Sequence, residues 1–109
     1  MDDLDTGLAE SLATNSFPND LTMFTKLVIK NRLGLHARAA GKLVEAAQPF
    51  KSKIFLVKDD CQADVRSILS LISLGCPYNT EVVLKASGED ADQALLAVAS
   101  VIENRFGET

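Results

Sequence analysis

Histidine is nearly absent from this chain, occurring once at position 36, and tyrosine also occurs once, at position 78. No C-x-x-C pair is present, and Cys61 and Cys76 stand far apart without a neighbouring histidine. That spacing argues against a zinc site or a redox pair and for two free thiols, so no metal and no cofactor is expected. No apolar run approaches the roughly 20 residues that span a bilayer. The opening Met1-Asp2-Asp3-Leu4-Asp5 lacks the basic region and apolar core of a secretory signal, so membrane insertion is excluded and a cytoplasmic protein expected. A G-x-x-x-x-G-K-[ST] nucleotide loop is missing as well, which leaves little support for a small-molecule-binding domain. There is no internal repeat.

Basic residues are missing from the first 22 positions, which carry Asp2, Asp3, Asp5, Glu10 and Asp20 for a net charge of −5. The rest of the chain holds eleven basic and ten acidic residues, a net of +1. The acidic character therefore belongs to the start of the chain. A near-neutral body without a basic stripe argues against nucleic-acid binding. Residues 1–22, rich in Asp, Asn, Ser and Thr, read as an acidic flexible leader, within which Leu4, Leu8 and Leu12 have the spacing of a short transient helix. Residues 23–109 are then one domain, of a length that supports a single core.

Periodicity gives the elements of that domain. Phe24–Lys30 alternates as a strand, with Phe24, Lys26, Val28 and Lys30 on one face and Leu27 and Ile29 on the other. Asn31-Arg32-Leu33-Gly34 is a loop. From His36 the apolar positions Ala37, Ala40, Leu43, Val44 and Ala47 trace one face of a helix that Pro49 stops. Further strands are expected over 52–58, 62–65 and 81–86. A short helix opens at Ser67 and closes at Gly75, and a last helix runs from about Asp90 to Phe106. The order βαββαβα, with the helices on one sheet face, implies an α+β open-faced β-sandwich with a four-stranded antiparallel sheet.

The single histidine sits in Gly34-Leu35-His36-Ala37-Arg38. An unperturbed imidazole can be neutral, and so nucleophilic, at physiological pH. A helix start presents N–H groups without intrahelical partners together with the positive end of the macrodipole, so a phosphoryl group on His36 would lie against donors. Arg38 can add a bidentate contact to phosphate oxygens, and Gly34 allows the tight loop that exposes the ring. The plain alternative is that His36 caps the helix and Arg38 is a solvated charge. With one histidine and no organised base, independent catalysis is not expected, and a donor would have to provide most of the chemistry.

Residues 31–47, Asn-Arg-Leu-Gly-Leu-His-Ala-Arg-Ala-Ala-Gly-Lys-Leu-Val-Glu-Ala-Ala, resemble the active-site segment of HPr, the phosphocarrier of the phosphoenolpyruvate-dependent sugar phosphotransferase system. The resemblance continues through Phe50–Ile54, Arg66–Gly75 and Gly88–Ala91, and spans residues 23–108. It implies the same βαββαβα fold and a monomer. His36 then accepts a phosphoryl group from Enzyme I at Nδ1 and passes it to EIIA-type domains, with Arg38 holding the phosphate. It also makes Ser67 a candidate phosphoserine for a serine-specific HPr kinase/phosphorylase. From residue type and position alone Ser67 is a helix N-cap.

The segment Ile68–Leu74 is apolar all round. With Leu71 and Leu74 turned to the core, Ile68, Leu69 and Ile72 form an exposed patch for partners. An alternative function follows from it: a regulatory module that signals carbon or nitrogen state through phosphorylation-dependent protein binding, without sugar transport. Three departures from the family stand out. Ala39 replaces the proline usual after His-x-Arg, which restores an N–H in the first helical turn and predicts a looser helix start with transfer retained. Asn79 stands where glycine is common, and the acidic leader has no family counterpart.

Overall fold

Alternation of inward- and outward-facing side chains organises the sheet, because successive residues of a strand point to opposite faces. β1 (Thr22–Val28), β2 (Lys53–Lys58), β3 (Cys61–Asp64) and β4 (Glu81–Ser87) pair antiparallel in the order β1-β4-β2-β3. Leu27, Ile54, Leu56, Ala63, Val82, Leu84 and Ala86 are buried on one face. The register places Phe24 opposite Lys85, and Lys85 opposite Phe55, on the other. This computed structural model describes residues 22–108. The expected leader lies outside the described residues except for Thr22, which opens β1.

Three helices cover the buried face: α1 (Ala37–Ala47), α2 (Ile68–Leu74) and α3 (Ala91–Glu103). The chain is α+β with βαββαβα order, as the periodicity implied. α1 buries Ala39, Ala40, Leu43 and Ala47, and α3 buries Ala91, Ala94, Val98, Ala99 and Ile102. Alanine on both faces lets the two helices approach closely, and each fully buried Leu or Ile between them and the sheet contributes about 1.5–3 kcal/mol. Arg66 ties the return from α1 into β2. Its guanidinium donates to the carbonyls of Ala47 (2.9 Å), Phe50 (2.5 Å) and Ser52 (3.0 Å).

Asp90 stands at the N-terminus of α3, yet its carboxylate makes no cap bond to that helix. It accepts from the Lys51 and Ser52 amides at 2.9 Å each and from the Ser52 hydroxyl. Those donors, the hydroxyl foremost, hold its pKa below the ordinary aspartate range. The acid thus joins α3 to the start of β2. Among the described residues no helix is long and apolar enough to cross a membrane.

The end of the chain departs from expectation. The last helix stops at Glu103 and not at Phe106. Arg105 and Phe106 take left-handed conformations, with φ of 57° and 55°, in a short 3-10 turn over Arg105–Gly107. Phe106 continues the Val98–Ile102 spacing, which is why periodicity extends the helix through it. It reaches the core by a chain reversal instead, with its carbonyl accepting from Lys42 Nζ at 2.6 Å. The strand bounds shift by one or two residues, the first beginning at Thr22. Asn79 adopts φ 73°, the left-handed conformation an asparagine tolerates in glycine's place.

Candidate functional site

Asn31 builds the loop that presents the histidine. Its side chain is fully buried, and Nδ2 donates to the Gly34 carbonyl at 2.7 Å and to Glu108 Oε1 at 3.1 Å. Gly34 takes φ 70°, and a Cβ there would stand 2.6 Å from the Cys76 carbonyl oxygen. That same carbonyl accepts from the Leu35 amide at 2.9 Å, so the loop is pressed against the segment after α2. Cys76 is buried, which pushes its thiol pKa up, whereas Cys61 is exposed; both are free thiols.

His36 follows in an extended conformation as the N-cap of α1. Its ring is partly exposed, at 24% of the side chain, and both nitrogens are engaged. Nε2 lies 2.5 Å from Glu108 Oε2, and Nδ1 accepts from the Ala39 amide at 3.4 Å. A carboxylate is an acceptor only, so Nε2 carries the hydrogen; an amide donates only, so Nδ1 keeps its lone pair. The two contacts fit the Nε2–H tautomer and turn the Nδ1 lone pair toward the N-terminal turn of α1. The capping role weighed on the sequence is therefore present in this ring.

Glu108 is held by the Asn31 amide first, and by the His36 ring and the charge of Arg38 in addition; together these lower its carboxyl pKa below the ordinary glutamate range. Neither Asn31 nor Glu108 stood out in the sequence. The Asn31–Gly34 spacing was a readable turn signal, since Asn side chains bond the backbone of tight turns. Glu108 gave no signal, because 72 positions separate it from His36 and the left-handed pair Arg105–Phe106 brings it back.

The other expected residues are dispersed. Arg38 is exposed near Glu108, and its side chain forms no hydrogen bond among the described residues. Ala39 is buried, and the N–H that a proline would lack donates to His36 Nδ1 at 3.4 Å. Ser67 caps α2, accepting from the Ser70 amide at 3.2 Å and donating to Ser70 Oγ at 3.0 Å. On α2 Leu71 is buried, while Ile68, Leu69 and Ile72 are 41%, 78% and 40% exposed.

The described residues thus form an open-faced α+β sandwich that presents one imidazole, paired with Glu108, at a helix N-terminus, the fold of small phosphocarrier domains. Residues 24–104 match the family model described as the PTS HPr component phosphorylation site. The chain is 38% identical over 80 residues to the phosphocarrier protein HPr of Neisseria meningitidis serogroup A, covering 73% of this chain and 90% of the relative. It is 37% identical over 83 residues to the phosphocarrier protein NPr of Shewanella violacea, covering 76% and 91%. The crystal structure of HPr-C-His from Thermoanaerobacter tengcongensis superimposes with a TM-score of 0.76 at 38% identity, covering 80% of this chain and 98% of that one. The chain belongs to the HPr family of phosphocarrier proteins of the phosphoenolpyruvate-dependent phosphotransferase system.

Proposed function

We propose that residues 23–109 relay a phosphoryl group through His36 Nδ1, taking it from Enzyme I and giving it to an EIIA-type domain in the cytoplasm, with residues 1–22 as a leader outside the relay. The observation that carries this is the pairing of Nε2 with Glu108 at 2.5 Å, which leaves the Nδ1 lone pair as the nucleophile. As Nδ1 attacks phosphorus, the ring gains positive charge and the Nε2–H···carboxylate bond becomes charge-assisted and stronger. First-turn amides of α1 and the Arg38 guanidinium are the donors for the phosphoryl oxygens. The donor supplies the activated phosphorus, and this chain supplies tautomer, orientation and charge.

Incubation with Enzyme I and phosphoenolpyruvate is expected to add one acid-labile phosphate to the wild type and none to His36→Ala. An unlabelled wild type beside a competent Enzyme I defeats the reading.

The exposed Ile68–Leu69–Ile72 surface next to Ser67 favours a second, compatible role as a regulatory module. A phosphate on Ser67 adds about −2 charge beside that surface and so alters partner binding. The likeness to an NPr as well as to HPr proteins leaves nitrogen-linked and sugar-linked partners as the two branches. Pull-downs with the unmodified, phospho-His and phospho-Ser forms separate the roles: partners that bind all three equally count against phosphorylation-dependent signalling.

A further inference from the structure

Ala39 supplies a backbone hydrogen that a proline at its position would not have. It is the third residue of α1, buried, and its N–H donates to His36 Nδ1, the atom the proposed chemistry must use. First-turn amides have no carbonyl of their own helix to bind, so the partner of this N–H is decided by what the imidazole carries.

We infer that the Ala39 amide is a switching donor, bonded to Nδ1 in the unmodified protein and handed over to a phosphoryl oxygen once Nδ1 is phosphorylated. This rests on the reading of His36 as the phosphoryl acceptor. In the transfer step the Nδ1 lone pair forms the N–P bond. The bond between phosphorus and the donor breaks, with its electron pair returning to the donor atom, and the Nε2 proton stays between the ring and Glu108. Nδ1 then has no lone pair left to accept. A phosphoryl group does not fit in the 3.4 Å gap between Nδ1 and the Ala39 nitrogen, so the ring pivots on its Nε2–Glu108 contact and a phosphoryl oxygen comes to face the Ala39 amide.

The exchange has a direction. A long bond from an amide to a neutral imidazole is replaced by one to a dianionic oxygen, and hydrogen bonds to charged groups are the stronger kind. The phosphorylated state therefore gains more from this N–H than the unmodified state does. With alanine at position 39 the chain holds its phosphoryl group more tightly than the same chain with proline. Proline itself is tolerated in a first helical turn, so the comparison can be made without breaking α1.

The test uses the full chain. Phosphoramidate-treated wild type is compared with the unmodified protein by amide and phosphorus NMR. The Ala39 amide proton is expected to move downfield on phosphorylation and to show a scalar coupling to phosphorus. In a separate competition, wild type and Ala39→Pro share a limiting pool of phosphoryl groups through catalytic Enzyme I. The wild type is expected to take the larger share by about fivefold. A partition ratio near one, or an Ala39 amide that stays in place while His36 carries phosphorus, overturns the inference. Absence of any phosphohistidine signal instead brings down the phosphocarrier reading on which it rests. The wild-type amide measurement decides the matter even if the proline variant folds poorly.

Discussion

At the scale of single residues, the state of the imidazole is set by side chains that approach from opposite ends of the sequence. Asn31 grips Glu108, Glu108 grips Nε2, and the Ala39 amide meets Nδ1. Because the Asn31 bond is the first cause of the lowered Glu108 pKa, Asn31→Ala is expected to move that carboxyl up toward its ordinary value, read by carbon-detected NMR titration. A group whose folded pKa is depressed contributes stability above its unfolded pKa and loses it as the pH falls through the folded one. The Glu108 contribution is therefore lost at a higher pH in the variant than in the wild type. Glu108→Gln keeps an acceptor for Nε2 but removes the charge, and about a fivefold slower acceptance from Enzyme I is expected in single-turnover labelling, with the fold unchanged.

Elements are joined by a few polar contacts that carry the chain around corners. Arg66 closes the turn between α1 and β2 through three carbonyls, in a fork that a lysine ammonium does not reproduce. Arg66→Lys is expected to cost about 1–2 kcal/mol, measured by urea unfolding. The reversal after α3 matters more to the site. Phe106 anchors it in the core, so Phe106→Ala is expected to destabilise by about 3–5 kcal/mol and also to free Glu108 from His36. A variant that kept the Glu108–His36 contact, seen as an unchanged Nε2-protonated tautomer in nitrogen NMR, would show that Phe106 does not hold the turn.

For the whole molecule, one sheet face and three helices make the core, and the proposed docking surface lies on the helical side. Leu69 is among its most exposed apolar residues. Leu69→Asp is expected to leave stability within about 0.5 kcal/mol while weakening transfer to and from protein partners. The check is phosphotransfer at varied Enzyme I concentration, where KM rises and chemical labelling by phosphoramidate stays as in wild type. Loss of chemical labelling as well would mean damage to the site and not to docking.

The elements, their order and the placing of the lone histidine at a helix start were legible in the sequence because each has a local physical cause. Alternation fixes strands, the spacing of Ala40, Leu43 and Ala47 fixes α1, Gly75 closes α2, and Gly34-Leu35-His36 opens a helix with a lone imidazole. Helix caps and glycine turns depend on near neighbours, so a sequence states them directly. The tertiary structure alone decided where the chain goes after Glu103, since burying Phe106 outweighs continuing a helix whose periodicity was intact. It alone decided which imidazole nitrogen is left with a lone pair, because that depends on Glu108, a residue that meets His36 only after the whole domain has folded.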